Sequence, residues 1–298
     1  MEGIRHNGPF SHLQVTSNVL KFSTDPILKT TVALGIEYDG TSFHGWQIQK
    51  KPAVATVQEA LEHALTKVAA CPVKVLCAGR TDTGVHATDQ VVHFHCETPR
   101  SEVAWIRGVN THLPGSVAVK WAVGVDDSFH ARFSATARTY RYVIYNSPVR
   151  SPVMHKKLTW INQPLDEGVM HRAAQHLLGE NDFSSYRGGG CQSNTPFRFM
   201  EKIRVVREGD LIIAEITANA FLLHMVRNIM GVLIEIGLGN RPEDWSALVL
   251  AEKDRTKAAK TASPDGLYLV KAHYPAEFGL PERSLGPSFL PAAFKTRI

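Results

Sequence analysis

The sequence predicts an α+β protein built from two ferredoxin-like (βαββαβ) halves, with mainly antiparallel sheets flanked by helices and a cleft between the halves where ligands tend to bind. Three observations predict it. Strand-period and helix-period segments follow one another in the same order twice. The helical segments carry start and stop residues. A hairpin signal, Glu208-Gly209-Asp210, joins two β-rich runs in the second half. The element order repeats, but the residues themselves do not.

The elements run as follows. Residues 1 to 27 show no periodicity and are expected to be loosely ordered. Thr31 to Tyr38 is a strand. Thr56 caps a helix, with Glu59 three positions on completing a capping box. Val57, Leu61, Ala64, Leu65 and Val68 give that helix one apolar face. Val73 to Ala78 and Gln90 to Cys96 are strands, Glu102 to Asn110 a short helix, and Val117 to Val125 a strand. In the second half Arg138 to Asn146 is a strand rich in Tyr and β-branched residues. Asp166 to Leu178 is a helix stopped by Gly179. Met200 to Arg207 and Leu211 to Ala218 form the hairpin, and Phe221 to Gly237 a helix. Pro242 opens a short further helix, and Leu267 to Tyr274 is the last strand. The domain boundaries follow: an extension over 1–28, halves over 29–134 and 135–277, and a surface tail over 278–298.

Composition narrows the function. With 44% hydrophobic and 20% charged residues the 298-residue chain can bury ordinary cores. A net charge of +5 mildly favours an anionic partner. The charge is concentrated: Ser128 to Leu165 holds six Lys/Arg and no Asp or Glu. Arg138, Arg141 and Arg150 in that run read either as a solvated face or as a track for an RNA backbone. Arg198 to Arg207 and Lys253 to Lys260 are further basic groups.

The four cysteines, 71, 77, 96 and 191, form no C-x-x-C and suit free thiols in a reducing cytoplasm. Met1 to Lys21 lacks the apolar segment of a signal peptide. The most apolar run, Ala218 to Ile236, contains His224, Arg227 and Glu235, which argues for a buried helix with a polar task and against a membrane span. His93 and His95 share a strand face without a third ligand nearby, so they read as structural, and no metal site is expected. Zinc deaminase chemistry needs H-x-E with P-C-x-x-C, which is missing from the chain.

The chemistry-bearing segment is Ala78-Gly79-Arg80-Thr81-Asp82-Thr83-Gly84-Val85-His86-Ala87, between two strands. By type alone Asp82 reads first as turn chemistry, its side chain capping backbone N–H groups. It reads second as a nucleophile or general base, since a neighbouring guanidinium favours the ionised form of a carboxylate.

Gly79 to Ala87 resembles the signature of the tRNA pseudouridine synthase A family, with Thr83 where that family usually has Ala. Further matching segments follow in family order. They are Gly35-Ile36-Glu37-Tyr38-Asp39-Gly40, Gly45-Trp46-Gln47, Thr56-Val57-Gln58-Glu59 and Phe129-His130-Ala131-Arg132-Phe133-Ser134-Ala135. Then come Tyr140-Arg141-Tyr142, Asn219-Ala220-Phe221, His224-Met225-Val226-Arg227-Asn228 and Gly266-Leu267-Tyr268-Leu269.

The resemblance implies that Asp82 is the catalytic residue and Arg227 its charge partner. It implies that Tyr140 stacks on a flipped uracil and is a candidate for the C5 base. Leu267 packs on that uracil, and Arg80 fills the space left by the base or grips its phosphate. It implies a cofactor-free isomerisation of uridines in the anticodon stem-loop of tRNA by a cytoplasmic homodimer. The alternative is a non-catalytic RNA-binding module, which would not need Asp82.

Overall fold

The computed structural model describes residues 22–49 and 51–294. The expectations for residues 1 to 21 and for the last four residues lie outside the described residues.

The first half contributes β1 (Thr31–Tyr38), α1 (Val57–Ala69), β2 (Leu76–Cys77), β3 (His86–His95), a helical segment around Ala104–Gly108 and β4 (Val117–Val125). Thr56 accepts the Glu59 N–H, so α1 starts where the capping signal placed it. The second half contributes β5 (Ala137–Asn146), β6 (Thr159–Ile161), α2 (Glu167–Gln175), β7 (Gly179–Asp182), β8 (Phe197–Glu208), β9 (Leu211–Ala218), α3 (Met225–Gly237), α4 (Trp245–Glu252) and β10 (Leu267–His273).

The two halves join in one sheet ordered β4-β1-β3-β10-β5-β9-β8-β7, with β2 on β3 and β6 on β5. Within each half the order of the four principal strands is the same: β4-β1-β3-β2 and β10-β5-β9-β8. The halves meet where β10 runs parallel to the start of β3, with Tyr268 opposite His86 and Leu269 opposite Ala87.

β2 is shorter than the run Val73 to Ala78 suggests because the Val73 and Val75 N–H groups are taken by Thr66 Oγ1 and Glu62 Oε1 of α1. The far end of β3 pairs with β2, Leu76 opposite His93 and Cys77 opposite Val92. Its near end is taken by β10. The partners of β3 therefore fork, and residues 78 to 85 emerge in the fork.

One face of the sheet packs against the helices in the largest core cluster. The other face, which in related sheets is free to bind single strands, is closed by the chain itself. Leu285, Leu290 and Phe294 are at most 6% exposed against Val143, Ile213 and Val270. Residues 276 to 294 are thus a packed strap rather than a trailing tail. Among the described residues no helix is long and apolar enough to cross a membrane.

Candidate active site

The loop of Asp82 is pinned from both sides before it reaches the cleft. The Gln90 side chain, fully buried, accepts the Gly79 N–H at 3.2 Å and donates to the Gly79 carbonyl at 2.5 Å. Tyr38 and Thr81 share a hydroxyl–hydroxyl bond of 2.7 Å. The Trp46 N–H donates to the Thr81 carbonyl at 3.0 Å. Gly45, at φ +88°, runs so close that a Cβ there would stand 2.8 Å from that same carbonyl. A polar side chain on a loop held this way keeps a fixed direction.

The second half supplies the facing groups. Asp82 Oδ2 lies 3.5 Å from Arg227 Nη1 and 3.6 Å from His224 Nε2. Arg227 is aimed by its own Nε, which donates to the Ala262 carbonyl at 2.9 Å. The pair is partly open, with 22% of the Asp82 and 15% of the Arg227 side chain exposed. Both groups address one carboxylate oxygen.

The helix expected from Phe221 begins only at Met225, because His224 is left-handed at φ +59°. That conformation stops the helix running back and frees residues 220 to 223 to line the cleft.

Tyr140 is 8% exposed, edge-on to Phe221 with ring centroids 5.0 Å apart. Burial, and then the Asp82 charge, push its phenol far above the ordinary tyrosine range. It is a neutral ring with a hydroxyl, and a phenolate is strongly disfavoured. Leu267 is 4% exposed. Asp82, Tyr140, Arg227, Leu267 and the exposed Arg80 all line one cavity of about 770 Å³ between the halves. Arg80 reaches across it toward Gln192 Oε1, at 3.4 Å.

Two of the three expected backbone-track arginines are used by the fold. Arg141 is fully buried, bonded through Nη2 to Glu215 Oε2 at 2.7 Å and through Nη1 to the Gly286 carbonyl at 2.9 Å. It lies on the closed face and cannot meet a phosphate. Arg138 lines the cavity, yet its five N–H donors are spent on carbonyls of Ala78, Arg132, Ala135 and Asn219. It is a rivet between the halves. Arg150 alone of the three is exposed, on the turn after β5.

His93 is structural, its Nδ1 accepting the Ala131 N–H at 3.1 Å. Burial and then the neighbouring His130 push it down to about 4. No cluster of three metal-ligating side chains occurs among the described residues.

Sequence reasoning gave no role to His224 or to Phe133, which also lines the cavity. Helical spacing gives no signal for His224, because its left-handed conformation sets it ahead of α3 rather than on the face of Arg227.

Comparison with known proteins adds to this geometry. A family model described as tRNA pseudouridine synthase matches residues 35–134 and 173–275, one segment in each half. The tRNA pseudouridine synthase A of Shewanella amazonensis is 58% identical over 260 residues, covering 87% of this chain and 99% of its own length. That of Cronobacter sakazakii is 57% identical over 265 residues, with coverages of 89% and 97%. That of Escherichia coli SMS-3-5 is 55% identical over 265 residues, with the same coverages. Among solved structures, a chain of a Cbf5-Nop10-Gar1 complex aligns over 80% of this chain and 48% of its own at 12% identity and a TM-score of 0.33. That likeness is too slight to carry an argument.

Proposed function

The chain belongs to the tRNA pseudouridine synthase family and isomerises uridine to pseudouridine in tRNA, and on that premise we propose that Asp82 is its catalytic carboxylate and the anticodon stem-loop its target region. The observation that carries the site is convergence. Asp82 comes from the first half, Tyr140, Arg227 and Leu267 from the second, and all four line one cavity.

The reaction breaks the N1–C1′ bond, turns the uracil and joins C5 to C1′. N1 gains a proton and C5 loses one, so the change is redox-neutral. A uridine in a stem must first leave the stack, at a cost of a few kcal/mol. Arg80, exposed at the mouth, is placed to hold the phosphate or fill the gap. The extruded uracil lies between the Tyr140 ring and Leu267, which hold the detached base while it turns. Asp82, with Oδ2 facing Arg227 and His224, presents Oδ1 toward the substrate and labilises the glycosidic bond. The neutral phenol of Tyr140 supports a stacking role, with its hydroxyl close to the backbone of Gly79.

In this reading the modified uridines lie at about positions 38 to 40, in a stem and loop recognised by shape. The protein acts in the cytoplasm as a homodimer. Pseudouridine mapping in tRNA incubated with pure protein and no added cofactor tests the assignment. Modification confined to the anticodon arm is expected, and none with Asp82→Asn. Undiminished modification by the Asn variant would remove Asp82 from the chemistry. Modification confined to another arm would refute the target region.

A further inference from the structure

Phe133 is 75% exposed, more than any other phenylalanine or tryptophan among the described residues. An isolated exposed ring would need no explanation. This one differs in three respects.

It lines the same cavity as Asp82 and Arg80. It is backed by another ring: His130 lies 4.3 Å from it, centroid to centroid, at an interplanar angle of 35°. Its position is also over-determined. His130 Nδ1 accepts the N–H groups of Arg132 and Phe133, at 3.1 and 3.2 Å. The His130 N–H donates to Ser134 Oγ at 2.9 Å. Arg138 donates to the Arg132 carbonyl at 2.5 Å, and the Ala131 N–H donates to His93. The segment 130–134 is thus bonded at almost every residue, in order to hold out a ring that buries almost nothing.

Beside the ring stands an exposed cation. The Arg132 guanidinium carbon is 5.5 Å from the Phe133 centroid. A fixed aromatic face next to a guanidinium matches a nucleotide, which joins a π-face to an anionic phosphate. A ring ordered in advance gives up little freedom on stacking.

We propose that Phe133, backed by His130 and flanked by Arg132, is a stacking platform for one nucleobase of the substrate RNA other than the uracil being isomerised. This rests on reading the cleft as the tRNA site. The target uracil occupies Tyr140 and Leu267, so the platform takes an unpaired loop base or a base unstacked by the extrusion.

The test uses the full-length protein and an anticodon stem-loop RNA. Phe133→Ala and Phe133→Leu are each expected to raise KM at least about tenfold, because stacking on a base is lost. The loss falls on KM rather than kcat. Phe133→Trp and Phe133→Tyr are expected to stay within about threefold of wild type, since each keeps a π-face. Leu keeps bulk and apolarity, so it separates stacking from simple contact. Melting curves of all four are expected to superimpose on wild type, the ring lying outside the core.

The base is found by placing single abasic sites along the RNA. One position is expected to cost wild type as much as Phe133→Ala does, and to cost that variant nothing further. A Leu variant that binds as wild type, or additive losses at every abasic position, would overturn the platform. If wild type itself fails to modify the RNA, the reading of the cleft falls instead.

Discussion

Two arginine–carboxylate pairs occupy opposite faces of this sheet, and they are built to different standards. On the closed face, Arg141 and Glu215 meet at 2.7 Å with both side chains fully buried. Carbonyls of the strap, Gly286 and Phe294, take further donors from Arg141, and Lys202 stands 3.3 Å from Glu215. On the cleft side, Arg227 and Asp82 stand 3.5 Å apart and remain partly open to solvent. Tyr140 and Arg141 are neighbours in β5, so a single step along the strand moves from the substrate side to the interior. The first pair is closed and fully coordinated. The second is left loose, with one carboxylate oxygen uncommitted. The pair inside the fold is saturated with partners, whereas the pair proposed for chemistry retains an acceptor unused among the described residues.

Substitutions can break this contrast. The largest effect expected is on turnover. Asp82→Asn should cut pseudouridine formation at least about a thousandfold while the melting temperature barely moves. Arg227→Ala should cost about a hundredfold in kcat. Its cost in stability should be only about 1 to 2 kcal/mol, because partial exposure lets water replace the lost partner. Glu215→Ala should do the reverse. It strands the Arg141 charge in the interior at about 3 to 5 kcal/mol, measured by denaturant titration, and leaves turnover per folded molecule close to wild type. Equal effects of Arg227→Ala and Glu215→Ala on both readouts would erase the distinction.

A third carboxylate sharpens it. Asp89 is buried beside Trp121, whose Nε1 donates to it at 3.3 Å. Burial pushes its carboxyl up to about 6 from an ordinary 3.8. Between those values the folded state binds more protons than the unfolded chain. Its contribution to stability therefore falls as pH rises through that window, and above it Asp89 is a net cost. Asp89→Asn should stabilise the protein at pH 7 by about 2 to 3 kcal/mol. It should also flatten the stability profile between pH 4 and pH 6. A midpoint at pH 7 no higher than wild type would place the charge in better-solvated surroundings.

The smallest effect is electrostatic. Arg80→Ala and Arg150→Ala should each flatten the dependence of log Kd on log salt by about one unit, as lost phosphate contacts do. The measurement is tRNA binding by anisotropy at several salt concentrations. An unchanged slope in either variant removes that arginine from the RNA path.

Local signals made most of the fold legible. The Thr56 cap, the turn at Glu208-Gly209-Asp210 and the apolar runs of β1, β4 and β9 are written within a few residues of where they act. What remained hidden depends on distant partners. Nothing in Val73 to Ala78 says that side chains of α1 will claim two of its N–H groups and shorten β2. Nothing in Ala276 to Phe294 announces that Arg141 awaits its carbonyls, so the strap read as a tail. The basic run misled for the same reason. Arginines three and nine apart look alike in a list, while the fold sends Arg141 inward, ties Arg138 to carbonyls and leaves Arg150 in water. The candidate site residues come from the family resemblance, since by type alone Asp82 reads first as a turn residue and only second as a nucleophile or general base.

The forked partnership of β3 bears on how the molecule is made. Its near end waits for β10, which follows it far along the chain. The rings of His86 and Tyr268, stacked 4.6 Å apart, mark that late closure. An N-terminal half emerging alone can form β1, α1, β3 and β4, yet the edge of β3 beside the Asp82 loop stays bare. Such long-range closure slows folding, and a bare strand edge in a nascent chain invites wrong pairing. The cavity around Asp82 is therefore complete only once β10 has docked, and a chain cut short before Leu267 would carry Asp82 and Arg227 without the strand that ties their two halves into one sheet.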